Sequence, residues 1–96
     1  MPALTKVEVV IGGKVYTLSG YEGADYLQKV AAYINAKINE FDAMGSTRYF
    51  SSDMKSTFIQ LNIADDFFKA KAQVEKLERD MELKDRELYD LKHDLI

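Results

Sequence analysis

Asp65 and Asp66 are the nearest thing in this sequence to a pair of acid–base carboxylates. Acid–base catalysis needs both groups within reach of one reacting site. Adjacent residues on a helix point about 100° apart, so these two diverge. Lys69, four residues on, offers Asp65 an ordinary ion-pair partner instead. His93 is the only histidine, and it stands near a helix end, where a cation suits the dipole. The sequence supplies it with no partner for metal binding or catalysis. Ser51 and Ser52 have no histidine near them and read as helix caps. Gly12-Gly13 lacks the further glycines and the following helix of a phosphate loop. With no cysteine, there is no thiolate metal site and no disulfide framework. The expectation is a chain with no catalytic residue, no cofactor and no metal.

Binding chemistry remains. "TRYFSS", residues 47–52, sets Arg48 beside Tyr49 and Phe50 in a loop. Exposed arginine and aromatic side chains are typical interface anchors. The same aromatics could tuck under the fold, and both readings stand at this point. Net charge is −3 with 30% charged residues of both signs, so the basic excess that drives nucleic-acid binding is missing. No stretch approaches the ~18 apolar residues of a membrane span, and the N-terminus carries no signal-peptide core. A cytosolic protein without direct membrane insertion is expected.

Three elements must position these groups. "KVEVVIGGKVYTLS" reads as a hairpin turning at Gly12-Gly13, with Ile11 opposite Lys14, Val9 opposite Tyr16 and Val7 opposite Leu18. That face is apolar apart from Lys14. The other carries Lys6, Glu8, Thr17 and Ser19, with Val10 opposite Val15. A lone hairpin is marginal in water, so it needs cover. "YEGADYLQKVAAYINAKINEF" supplies a helix whose stripe is Leu27, Val30, Ala31, Ile34, Ile38 and Phe41. Gln28, Lys29, Asn35 and Lys37 are assigned to the opposite side.

After the loop "DAMGSTRYFSS", no Gly or Pro occurs from Asp53 to Ile96. One helix of about 44 residues follows, ~65 Å long at 1.5 Å per residue. Its second part shows a heptad seam: Ala70, Val74, Leu77, Met81, Lys84, Leu88, Leu91 and Leu95. Opposite-sign pairs such as Lys71–Glu75, Lys76–Asp80, Asp80–Lys84 and Glu82–Arg86 support the helix by ~0.2–0.5 kcal/mol each. Backwards, the seam continues through Phe67 and Ile63. A second row, Met54, Phe58, Leu61, Ala64 and Phe68, accompanies it in the first half only.

Two rows need two partners. The chain's own hairpin and first helix provide one, and another copy must provide the other. The expected fold is therefore α+β: a small head, residues 1–52, then a long C-terminal helix, residues 53–96. The first half of that helix packs into a head dimer, and residues 70–96 form a coiled coil. Oligomerisation is assigned to Phe58, Leu61, Ile63, Phe67, Phe68, Val74, Leu77, Met81, Leu88, Leu91 and Leu95. Charge pairing favours neither coil orientation. A parallel pair sets Asp80 against Asp85, and an antiparallel pair brings Asp80 near Glu87.

"FIQLNIADDFFKAK" resembles the ZapA family of bacterial cell-division proteins, whose long second helix opens with a Leu-Asn-Ile-Ala-Asp-Glu-type signature. Here it stands as Leu61, Asn62, Ile63, Ala64 and Asp65, with Asp66 where Glu is common. "VEVVIGGKVYTL" and "YLQKVAAYINAKINEF" resemble that family's hairpin and first helix, so the likeness runs from about Val7 on. The resemblance implies a homodimer, often a homotetramer joined through the coils. It implies binding to filaments of the tubulin-like protein FtsZ, which the assembly cross-links in the mid-cell division ring without catalysis. By position in that family, Lys14, Arg48 and Asp53 would face the filament; Lys37 joins them from the exposed side of the first helix. The rival reading is a coiled-coil adaptor tethering another cytoskeletal or membrane-associated complex.

Overall fold

The computed structural model describes residues 3–95. Met1 and Pro2 of the expected head, and Ile96 of the expected coil, lie outside the described residues. Strand β1, Thr5–Ile11, pairs antiparallel with β2, Lys14–Gly20. Ile11 pairs with Lys14, Val9 with Tyr16 and Val7 with Leu18, as the glycine turn requires. Gly12 and Gly13 have φ of 60° and 81°. That double left-handed turn matches the strand twist, and a side chain at either position would strain it. Val9 is fully buried on the inner face, while Val7, Ile11 and Leu18 are half-buried.

Helix α1, Ala24–Ala43, covers this face. It starts at Gly23 without a side-chain cap, with Asp25 in the first turn answering the helix dipole. Its buried side follows the expected stripe except at Val30: Phe41 is buried, and Leu27, Ile34 and Ile38 are half-buried. Ala31 is buried, whereas Val30 is exposed. Gln28 and Asn35, at the rim of that stripe, reach the hairpin while staying open to solvent. Gln28 Nε2 donates to the Glu8 carbonyl at 2.9 Å, and Asn35 Nδ2 to the Val10 carbonyl at 2.6 Å. The reason is the open edge of β1, whose outward backbone groups need partners. Gln28, Ala31, Asn35 and Ile38 share one helical row, and small Ala31 lets that row approach the strand closely.

A 3-10 turn, Ser46–Tyr49, leads to helix α2, Ser52–Asp94. Ser51 caps it: the Met54 amide donates to Ser51 Oγ at 3.2 Å. Asp53 in the first turn and Lys92 and His93 in the last complement the dipole. Val9, Ala31, Phe41 and Ile59 are the buried hydrophobic core. Beside them Phe41 meets Phe58 at 5.3 Å and Phe50 at 5.6 Å, edge to face.

The chain divides into two compact units, one ending at Ile63 and the other beginning at Ala64, within α2. In the second, every residue from Phe67 to Leu95 is exposed. Total accessible surface is 8229 Å² for an 11.0 kDa chain. A folded monomer of that mass exposes about 5,600 Å². Among the described residues, no helix is long and apolar enough to cross a membrane.

Candidate functional site

The hairpin turn, α1 and the first turns of α2 enclose an open groove of about 720 Å³. Val10, Ile38 and Ile59 are its apolar lining, and Lys14, Asn35, Asp42 and Lys55 its polar one. Asn35 fixes the turn at one wall: the Gly12 amide donates to its Oδ1 at 2.9 Å. Lys14 stands exposed at that turn. Across the groove Lys55 Nζ donates to Asp42 Oδ1 at 2.7 Å, with the ammonium 5.7 Å from the Phe41 ring centre.

A second hollow, about 420 Å³, is lined by Phe41, Asp42, Arg48, Phe50 and Lys55. The Asp42–Lys55 pair borders both spaces, so the Lys14 groove and the Arg48 hollow adjoin along it. Arg48 Nη2 donates to the Tyr49 hydroxyl at 3.0 Å, and its guanidinium lies 4.9 Å from that ring's centre. Stacked on a neighbour in this way, a guanidinium keeps its other donors available. The loop aromatics thus split: Tyr49 is strongly exposed, while Phe50 leans on Phe41 and Phe58. Asp53 is exposed beside a third, mostly apolar hollow of about 350 Å³ with Phe50, Met54, Phe58 and Leu61.

Lys37 does not join this set. Its side chain is only 13% exposed, 3.6 Å from Glu40 and lying over Tyr33 at 5.6 Å. The expectation that it stands on an exposed face is corrected. Its long aliphatic stem packs along the protein while the ammonium finds a carboxylate. Lys55 went unread in the sequence because its role depends on Asp42, thirteen residues away and brought close only by the turn between the helices.

The other candidates behave as their spacing dictates. Lys69 Nζ lies 2.7 Å from Asp65 Oδ2. That hydrogen bond and the Asp65 charge hold the Lys69 ammonium above its ordinary value of 10.5. His93 stacks on Tyr89 at 3.9 Å, and its Nδ1 donates to the Tyr89 carbonyl at 2.9 Å. Among the described residues, no three His, Cys, Asp or Glu side chains gather as a metal site.

The oligomerisation residues sort by burial. Phe58 is half-buried in the head's own aromatic cluster, and Ile63 is half-buried too. Met54, Leu61, Phe67, Phe68 and the apolar seam from Val74 to Leu95 are exposed. Lys84 on the seam reaches Glu87 at 4.0 Å, three residues on, where spacing alone pointed to Asp80.

A family profile for Cell division protein ZapA matches residues 7–95, which takes in the hairpin, both helices and the exposed seam. The chain belongs to the ZapA family. Two Cell division protein ZapA relatives agree. The Halalkalibacterium halodurans protein is 30% identical over 74 residues, covering 77% of this chain and 79% of its own. The Bacillus pumilus protein is 31% identical over 83 residues, covering 86% and 93%. A solved structure, a ZapA mutant dimer from Geobacillus stearothermophilus, superposes with a TM-score of 0.63 at 25% identity, covering 83% of this chain and 91% of that one. The hairpin, short helix and long C-terminal helix are thus the ZapA arrangement.

Proposed function

We propose that this ZapA-family chain is a non-catalytic cross-linker of FtsZ filaments, acting as a homodimer and homotetramer in the cytoplasm at the mid-cell division ring. The carrying observation is that the family match spans the head and the coil together, residues 7–95. Surface area supports self-association. The chain exposes roughly 2,600 Å² more than a compact monomer of its mass would, or ~5,200 Å² for two copies, at the upper end of the ~2,000–5,000 Å² total that obligate homodimers bury.

The mechanism follows from the division of labour. The head, residues 1–52 with the start of α2, grips a filament through Lys14 and Arg48, with Asp53 at the rim. FtsZ is expected to be acidic overall, so local basic groups govern encounter and salt dependence. Lys55 is neutralised by Asp42 and acts mainly to shape the ground between Lys14 and Arg48. The coil, residues 70–96, joins heads so that binding of one brings the next to a filament at high effective concentration.

Co-sedimentation and electron microscopy with polymerised FtsZ test this. Lys14→Glu with Arg48→Glu should keep helix content and oligomer size but lose bundling. A chain truncated after Gln73 should bind single filaments weakly and fail to align them. Normal bundling by the charge-reversed chain would remove the site assignment, and normal bundling by the truncated chain would remove the cross-linking mechanism.

A further inference from the structure

The two edges of the hairpin are treated differently. On β1, the outward carbonyls of Glu8 and Val10 accept bonds from Gln28 and Asn35, and the Gly12 amide donates to Asn35. These contacts occupy part of that edge with side chains of α1. They also fix which residues of β2 point outward. Glu8 pairs with Thr17 and Val10 with Val15, so in an antiparallel ladder the backbone groups of Val15, Thr17 and Ser19 face the other way. Among the described residues no side chain caps them. Tyr16, on the inner face of β2, is also left exposed.

We infer that the outer edge of β2 docks on β2 of a second copy, antiparallel about a two-fold axis at Thr17, giving the four-stranded sheet β1-β2-β2-β1. The inference rests on the self-association proposed above and specifies how the heads meet.

Register is the first argument. An axis at Thr17 sets Thr17 opposite Thr17 and Val15 opposite Ser19, and these are the outward-facing residues. Each such pair exchanges two hydrogen bonds, roughly six in all. The side chains also fit. Tyr16 falls opposite Leu18 on the inner face, so two partly exposed apolar groups cover each other. The only charge in β2, Lys14, falls opposite Gly20, so no like charges meet. Closure is the last argument. On both β1 edges of such a sheet Gln28 and Asn35 of α1 already occupy outward carbonyls, which works against further pairing into a fibre.

Two measurements on the full chain test this. In the assembled protein, the amides of Val15, Thr17 and Ser19 should exchange with deuterium as slowly as those of Tyr16 and Leu18, which bond inside the hairpin. The chain has no cysteine, so Thr17→Cys reports the contact directly. Facing residues of a bonded pair have Cα atoms ~5.5 Å apart, within disulfide reach. Mild oxidation should link Thr17→Cys into a covalent dimer and leave Glu8→Cys unlinked. A stable dimer by sedimentation with fast exchange at all three amides and no Thr17→Cys link would overturn the sheet while leaving self-association in place. A monomer by sedimentation would overturn both. Slow exchange that appears only when another protein is added would assign the edge to a foreign strand and overturn the inference.

Discussion

The stretch up to Ile63 and the stretch from Ala64 on contain comparable apolar residues and opposite outcomes. In the first, Val9, Ala31, Phe41 and Ile59 are buried by elements of the same chain. In the second, Val74, Leu77, Met81, Leu88 and Leu91 are each more than half exposed, although they repeat with the regularity of a core. Helix α2 runs unbroken through both stretches. The difference is closure: the hairpin and α1 fold back on the start of α2, whereas among the described residues the side chains from Phe67 to Leu95 are all exposed. Local propensity and capping favour helix at these positions, but lasting helix stability and burial both need a second surface against the apolar face. A regular apolar seam left exposed in this way is the pattern of a coiled-coil strand, which supports the proposed self-association.

The sharpest way to break this contrast is Phe41→Ala. Phe41 is buried and anchors both Phe50 and Phe58, so its loss should cost about 3–5 kcal/mol. The hairpin and α1 should lose their protection in amide exchange while residues 70–95 stay helical in the assembled protein. One concerted loss of both would show that the two regions do not fold separately.

Leu88→Asp probes the other side. A charge on the seam must be buried unpaired or leave the seam open. Self-association should weaken about 100-fold, equivalent to ~2.7 kcal/mol, with the hairpin resonances unmoved. Sedimentation equilibrium reads the first effect and NMR the second. Self-association identical to the parent's would mean that the seam is not an interface.

Asn35→Ala tests how α1 holds the hairpin. It removes the partner of the Gly12 amide and the Val10 carbonyl at an exposed site, where water takes over in part, so about 1 kcal/mol should be lost. The loss should appear in head stability and leave coil association alone.

The smallest effect lies at Lys69. Its folded pKa is raised above 10.5 by the Asp65 hydrogen bond and charge. A raised folded value means that the stabilisation is complete below pH 10.5 and fades as pH climbs through the folded pKa. Asp65→Asn should lower the Lys69 titration point seen by NMR without changing oligomer size. A titration point equal to the parent's would show that the pair does not form in solution.

Much of this was legible in the chain because the deciding interactions are local. The Gly12-Gly13 turn set the strand register residue by residue, since a two-residue loop and a period of two leave one pairing that keeps Val7, Val9 and Ile11 on one face. Ser51 and Ser52 marked the start of α2, where Ser51 proves to be the cap, and the spacing of Asp65 and Lys69 announced their bond. What the tertiary structure decided were contacts between distant residues. It turned Asn35 and Gln28 toward the β1 edge and withdrew Lys37 from solvent. It drew Phe58 into the head's own aromatic cluster and paired Lys55 with Asp42 between Lys14 and Arg48. Helical periodicity states which residues share a face. It does not state which polar residues at the rim of that face are used, because that is settled by backbone groups of another element that must find hydrogen-bond partners.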